Sequence, residues 1–480
     1  NNNPECEHRN MKHRSAKILA TIGPASSSPD MLKLLAEVGV NAFRLNFSHG
    51  SHSDHARSID FIRNIENETG KPIAVIADMQ GPKIRCGQFK GGQIELIFGQ
   101  EITIINDNYS DADNLICIPH KELFEVLKPG NTLKFDDGKI KVTVKSNDGS
   151  IIKAVVDVPG TLKNKKGVNV IDAVLPMSAM TDKDTVDILF ALSKDVDYIA
   201  LSFVQTAKDV LDAKEIIGNK ANIIVKIEKP SAVRDIDSIL DLADGVMVAR
   251  GDLGVELPLE DVPVVQRKII RKARLLGKPV IVATHMLESM IDSPTPTRAE
   301  ASDVATAIYQ GADVVMLSAE TAVGRHPATA VAIMDRIIKS VEGDPEFWDY
   351  FSISDLPYFD TPEDAISQSV CVMSKTLNCK AVFGYTNTGS TVQRISRERP
   401  PCRIIGLTPS IKTARLICLN WGVIPLIMED PKNFDEMLPH IQKASVLYAG
   451  LKSGDKIIIT AGIPFGRPGT TNTLKIDMVD

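Results

Sequence analysis

Several apolar, β-branched runs in this sequence end in lysine, carboxylates or small polar residues, types that suit a divalent cation and a phosphate. The run NIIVKIE ends in Lys226 and Glu228, which alternation puts on one face of an extended strand. The run GVMVARGD ends in Arg250, Gly251 and Asp252. Others end in Thr284, in Ser318 and Glu320, and in Arg44, Asn46 and Ser48 followed by His49. Glu228 and Asp252 together suit a hard cation that keeps several waters and also takes substrate oxygens. Either acid alone would more often be a cap or half of an ion pair. Lys226 has three chemical readings: a Schiff-base amine, a general acid or an electrostatic clamp. Beside a divalent ion, its ammonium suits a phosphoryl group in transfer, where catalysis is mostly positioning and charge. A merely solvated lysine fits poorly at the end of a buried run. The N–H groups of Gly251, Asp252 and Leu253, at a short helix start, suit a carboxylate. Arg44 and Arg85 suit phosphate, though a single arginine is more often a surface residue.

Positioning such groups requires elements that end together. Eight apolar runs read as parallel strands covered on both faces: Lys17–Gly23, Asn41–Ser48, Ile73–Met79, Asp197–Phe203, Asn222–Glu228, Gly245–Asp252, Pro279–His285 and Asp313–Glu320. Helical patterns lie between them, with Ser28-Pro29-Asp30 opening Met31–Val38, Pro230 near the first turn of Ser231–Leu242, and Gly277 closing Val264–Leu276. Such repetition predicts an α/β fold, a (β/α)8 TIM barrel with its active site at the carboxyl ends of the strands. The barrel is expected over residues 11–82 and 177–343. Residues 83–176 change texture to short alternating stretches with the hairpin signal Asp136-Asp137-Gly138, and read as an inserted all-β lid domain of antiparallel strands. Beyond a polar linker, residues 344–480 read as a compact C-terminal α/β domain. In it, Thr386-Asn387-Thr388-Gly389-Ser390-Thr391 follows a strand-like AVFGY and precedes a helical stretch. That small-hydroxyl loop is either a phosphate cradle or an ordinary helix cap.

The chain has 480 residues, and its net charge of −6 argues against a nucleic-acid partner while leaving local basic pockets open. No apolar run is long enough to cross a bilayer, so no membrane partner is expected, and Asn1–Arg14 lacks the apolar core of a secretory signal. Met11-Lys12 reads as the natural start, which leaves residues 1–10 as an amino-terminal extension. Seven cysteines with no C-x-x-C pair argue against a disulfide framework or zinc site and suit reduced thiols in the cytoplasm.

Taken together, the runs ATIGPAS, RLNFSHG, ADMQGPKIR, KGVN, KIEKP, VARGDLGVE, ATHMLESM, PTPTRAEASDVA and LSAETAVGRHP resemble the pyruvate kinase family, in order over nearly the whole chain. The resemblance implies transfer of a phosphoryl group from phosphoenolpyruvate to ADP, giving pyruvate and ATP. Lys226 would stabilise the transferring group, with Glu228 and Asp252 holding Mg2+ (or Mn2+). Gly251, Asp252 and Thr284 would seat the substrate carboxylate. Arg44, Arg85 and Lys166 would contact phosphates, with Asn46 and His49 on the nucleotide side. Ser318 and Glu320 would belong to the proton path to the enolate. Asn46, Ser48, Asp78 and the carbonyl of Met79 would form a potassium site. One departure bears on that ion. Many members read D-T-K-G-P-E-I-R-T where this chain reads Asp78-Met79-Gln80-Gly81-Pro82-Lys83-Ile84-Arg85-Cys86. The Lys83 ammonium is expected to stand in for potassium and make it non-essential; otherwise Lys83 sits at the hinge facing solvent. The resemblance also favours a phosphorylated allosteric effector on the loop Thr386–Thr391, helped by Phe465–Thr471, and a homotetramer built through barrel helices. Another barrel that binds a pyruvate enolate on Mg2+, an aldolase-type lyase or a phosphoenolpyruvate-using phosphotransferase, is the nearest rival, which NFSHG, GPKIR and the insertion disfavour. A catalytically silent sensor would predict damage at Lys226, Glu228, Asp252 or Thr284, and all four are intact.

Overall fold

The computed structural model describes residues 14–171, 173–351, 360–463 and 471–480. The extension 1–10 and most of the loop 465–471 lie outside the described residues. Eight parallel strands close into a barrel: β1 (Lys17–Ile22), β2 (Ala42–Asn46), β3 (Ala74–Asp78), β4 (Tyr198–Leu201), β5 (Asn222–Ile227), β6 (Gly245–Ala249), β7 (Val280–Ala283) and β8 (Val314–Leu317). β1 completes the ring by pairing with both β2 and β8. Each strand is shorter than the apolar run that announces it. β6, for example, stops at Ala249, and Arg250–Glu256 turns directly into a helix. The chemically interesting residues therefore sit just past the ladders, where the chain leaves the sheet.

Alternation explains what fills the barrel. Leu19, Ala42, Ala74, Ile76, Tyr198, Ala200, Ile224, Met247, Ile281, Ala283, Val314 and Met316 form one buried cluster. Their chain neighbours, such as Ile18, Phe43, Val75, Ile199, Val225 and Leu317, join the larger core shared with the surrounding helices. The first set faces inward and the second outward, as closure of a sheet requires. The same parity carried two residues further points Thr21, Arg44, Asp78, Ser202, Lys226 and Ser318 toward the barrel axis. The barrel floor is closed from below by the C-terminal domain: Leu416, Cys418 and Leu419 pack onto the inward cluster, and Tyr198 Oη donates to the Leu416 carbonyl at 2.7 Å.

Helix signals in the sequence correspond to real caps. Ser28 Oγ accepts from Met31 N–H ahead of the helix Pro29–Val38. The stretch expected as one helix, Ser231–Leu242, is two, Pro230–Arg234 and Ile236–Leu242, broken at Asp235. Asp235 accepts a hydrogen bond from Ala207 N–H at the break.

The insertion has its own core, from Ile84 to Leu175. Its six-stranded sheet runs in the order Val168–Ile171, Thr132–Phe135, Ile140–Asn147, Ile151–Val158, Glu101–Ile105, Leu115–Cys117. The hairpin at Asp136-Asp137-Gly138 is present, and all three residues take positive φ. Two expectations need correction. Glu101–Ile105 pairs with Leu115–Cys117 in parallel, as does Gln88–Phe89 with Tyr109–Ser110, so the domain is not wholly antiparallel. It also contains a short helix, Glu122–Val126, whose Leu123 and Phe124 are buried.

In the C-terminal domain, four parallel strands, Val423–Ile427, Arg403–Thr408, Ala381–Tyr385 and Lys456–Ala461, are extended by an antiparallel edge strand, Thr473–Met478. That edge strand escapes the sequence reading because it is half-exposed along its length and carries no continuous apolar run. Arg415 ties this domain to the barrel through a paired contact with Glu66, at 2.6 and 3.0 Å, and a further contact with Asp195 at 3.3 Å. No helix among the described residues is long and apolar enough to cross a membrane.

Candidate active site

The inward residues at the carboxyl ends of β2 to β5 make one buried charge cluster. Arg44, on β2, places Nε 2.6 Å from Asp78 Oδ2 and Nη1 3.1 Å from Thr21 Oγ1. Lys226, near the end of β5, lies 3.3 Å from Asp78 Oδ1 and 3.1 Å from Glu228 Oε1, and donates to Ser202 Oγ at 2.8 Å. The Ser202 contact is a hydrogen bond and the two carboxylates are ion-pair partners, with Asp78 Oδ1 buried and without a hydrogen-bond partner of its own. The other Glu228 oxygen accepts Phe203 N–H at 2.7 Å, where Phe203 turns the chain with φ 56°.

Burial and neighbours compete for each charge here. Burial would raise the Asp78 carboxyl, but Lys226 and Arg44 outweigh it and hold it below the usual value. Burial would likewise discharge Lys226, but Asp78 and Glu228 outweigh it and raise its pKa. At Glu228 burial wins over the pull of Lys226, and the charge of Asp252 adds to it, so this carboxyl is raised. With Asp252 counted, two cations face three carboxylates. Among these five groups that balance suits an added cation.

Glu228 and Asp252 come from adjacent strand tips, because β5 and β6 are hydrogen-bonded neighbours. No group of three or more His, Cys, Asp or Glu side chains among the described residues forms a self-sufficient metal cage. Two carboxylates on neighbouring strand tips suit a hard divalent ion that takes its remaining oxygens from water and substrate. Among the possible monovalent ligands, Asn46 and Asp78 are register partners across β2 and β3. Asn46 Oδ1 accepts from Ser48 N–H at 3.1 Å, and the Met79 carbonyl accepts from Ser202 Oγ at 2.7 Å. Lys83 is exposed, and lines a small cavity with Phe203, Lys229 and Asp252 between insertion and barrel.

β6 and β7 supply a second corner. Gly251 N–H donates to Thr284 Oγ1 at 2.8 Å, and that hydroxyl donates to the Ala283 carbonyl at 2.7 Å. Thr284 and His285 both adopt left-handed backbone, φ 68° and 54°, costly for a β-branched threonine. Arg250 holds the strained turn by donating to the Thr284 carbonyl at 2.6 Å while paired with Asp303 at 2.7 Å. At β8, Glu320 is buried and spends both oxygens on backbone, Leu287 N–H at 3.1 Å and Ser318 N–H at 2.7 Å. Ser318 Oγ is buried without a hydrogen-bond partner.

The nucleotide-side candidates divide. Asn46 and His49 line a cleft of about 900 Å3 with Thr21, Gly23, Pro24 and Phe61. Arg85 and Lys166 are on the insertion instead and do not line that cleft. Arg85 Nη1 donates to the Lys165 carbonyl, and Lys166 is paired with Asp136 at 2.7 Å, which raises the lysine. In the C-terminal loop, Thr386 Oγ1 accepts Gly389 N–H at 2.8 Å ahead of the helix Ser390–Glu398, and Thr391 Oγ1 lies 2.7 Å from Thr471 Oγ1. That last contact brings the end of the second C-terminal loop to the first. Ser202, Phe203 and Thr21 were not singled out by sequence. The only signal for Ser202 was a hydroxyl closing the apolar run YIAL.

A TIM barrel with a buried lysine–carboxylate cluster at its mouth, an inserted β-domain and a C-terminal α/β domain suits an enzyme that acts on a phosphate beside a divalent cation. The comparisons specify it. The family model of the pyruvate kinase barrel domain matches residues 13–331, and that of the pyruvate kinase alpha/beta domain matches residues 364–477. A pyruvate kinase of Agrobacterium vitis is 49% identical, covering 97% of this chain and 96% of the relative. One from Methylorubrum extorquens is 43% identical, over 98% of each chain. The crystal structure of a pyruvate kinase from Cryptosporidium parvum superposes with a TM-score of 0.92 at 33% identity, covering 97% of this chain and 96% of that one. This chain belongs to the pyruvate kinase family and is a phosphotransferase of that activity.

Proposed function

We propose that the barrel mouth moves the phosphoryl group of phosphoenolpyruvate to ADP with Lys226 as its electrostatic centre. The observation that carries this reading is the buried ammonium held by Asp78, Glu228 and Ser202. An ammonium already desolvated and oriented needs no reorganisation when charge builds on the transferring group. Glu228 and Asp252 would hold the divalent ion, Mg2+ or Mn2+, which when bound supplies Lewis-acid stabilisation of enolate and phosphoryl oxygens. Gly251, Asp252 and Thr284 seat the substrate carboxylate, and the strained Thr284 turn fixes where its hydroxyl points. Arg44, held against Asp78, contacts the phosphoryl group. Asn46 and His49 face the nucleotide in the cleft they line. Arg85 and Lys166 reach phosphates from the insertion, which acts as the lid. Loss of the phosphoryl group leaves an enolate, and protonation at C3 converts it to pyruvate and drives the transfer. Ser318, with its unpartnered buried hydroxyl, lies on the proton path, and Glu320 fixes its backbone.

The finer features follow the same logic. Asn46, Ser48, Asp78 and the Met79 carbonyl suit potassium, but Lys83 already lines a cavity with Asp252. The loop Thr386–Thr391 would bind a phosphorylated effector. Exposed Leu259, Val264, Tyr309 and Val323 on barrel helices and their loops suit burial in a homotetramer. The enzyme would work in the cytoplasm.

Lys226→Met is expected to leave phosphoenolpyruvate binding nearly intact and to lower kcat roughly a hundred- to a thousandfold, the usual cost of one transition-state contact. Turnover near wild type in steady-state kinetics would remove Lys226 from the centre. In buffer free of sodium and potassium the wild type is expected to keep substantial activity, and Lys83→Glu to become potassium-dependent. A wild type that is dead there and rescued by potassium would defeat the role given to Lys83. Thr388→Glu puts an acid where phosphate would sit, so activation by a panel of sugar phosphates and nucleotides should vanish while kcat at saturating substrate stays. Unchanged activation by every member would move the effector site elsewhere.

A further inference from the structure

Ser202 helps to hold Lys226, but no part in the reaction has been given to it, and it also touches the Met79 carbonyl. It is 2% exposed and immediately follows β4, the strand between β3, which carries Asp78, and β5, which carries Lys226. Its hydroxyl accepts from Lys226 Nζ at 2.8 Å and donates to the Met79 carbonyl at 2.7 Å. A serine hydroxyl has one proton, so this arrangement fixes its direction: the proton goes to Met79 and the lone pair to Lys226.

We infer that Ser202 is a positioning residue for the phosphoryl-transfer reaction, fixing the tip of Lys226 and tying it to the root of the lid at Met79. The inference rests on the role proposed for Lys226. The two carboxylates attract the ammonium over a range of angles, because Coulomb attraction is weakly directional. The neutral hydroxyl, the shortest of the three contacts, sets the third direction without adding charge. Its own position is locked. Gly81 approaches so closely that a Cβ there would lie 2.9 Å from Ser202 Cβ and 3.2 Å from the Ser202 carbonyl, and Gly81 takes φ 70°. Residues 79–82 lead from β3 into the insertion, so the chain segment that carries the lid also packs against the serine that aims the lysine.

The test is a double-mutant cycle read in kcat and in KM for phosphoenolpyruvate. Ser202→Ala removes one hydrogen bond to a charged group, which predicts a fall in kcat of about ten- to a hundredfold with KM changed less than about twofold. In the Lys226→Met background the same change is expected to cost nothing further, because a residue acting through the lysine has nothing left to position. Ser202→Cys, with a weak sulfur acceptor in nearly the same volume, should fall between alanine and wild type, and covers the case in which the alanine variant does not fold. Thermal melting and circular dichroism confirm that the variants compared are folded. A silent Ser202→Ala, a loss confined to KM, or an equal loss in both backgrounds would overturn the inference. Failure of the underlying reading looks different: Lys226→Met itself would then retain wild-type turnover.

Discussion

A buried ammonium cannot stand without compensation, and the mouth of the barrel is organised around that constraint. Taking an ion out of water costs several kcal/mol even after relaxation, and only close, well-aligned partners offset it. Lys226 keeps its proton because Asp78 and Glu228 stand 3.3 and 3.1 Å away. Asp78 stays ionised because Lys226 and then Arg44 outweigh its burial. Glu228 is the least settled member, raised by burial and by Asp252. The carboxylates of Glu228 and Asp252 therefore oppose each other across neighbouring strand tips, the side on which a divalent cation is proposed to bind.

The barrel delivers these groups by parity. Inward positions alternate along each strand, and the position above the last apolar layer is Thr21, Arg44, Asp78, Ser202, Lys226 or Ser318, according to the strand. A single-residue slip in any ladder would turn that strand's polar tip into the helical layer, where no partner waits. The floor is equally determined. Leu416, Cys418 and Leu419 of the C-terminal domain cap the inward layer, and β4 runs from Tyr198, bonded to Leu416, to the turn that begins at Ser202. The charged mouth of the barrel and the C-terminal domain are therefore at opposite ends of one packed column.

Much of this was legible in the sequence for a physical reason. Parallel strands covered on both faces are near-continuous apolar runs, so NIIVKI and GVMVA announce themselves, and a lysine or aspartate at such an end is conspicuous. What escaped was of three kinds. Ser202 and Thr21 carry no charge, and a hydroxyl closing an apolar run looks like many others. Phe203 contributes its backbone N–H to Glu228, which no side-chain pattern encodes. Elements without a full apolar face left weak traces: the two-residue parallel pair at Gln88–Phe89 and the half-exposed edge strand Thr473–Met478. The resemblance likewise could not foretell that Glu320 commits both oxygens to backbone N–H groups, a matter of local geometry.

Glu228 and Asp252 are proposed as the divalent-ion ligands beside an already compensated Lys226. Titrating activity with Mg2+ in the wild type, in Glu228→Gln and in Asp252→Asn tests this most directly, with Mn2+ binding to the same proteins as a readout independent of turnover. A neutral amide cannot offset the ion's charge, so the half-saturating concentration should rise in each variant by at least the ~10-fold that even an outer-shell change typically costs. Unchanged half-saturation and unchanged Mn2+ affinity in both variants would contradict the account.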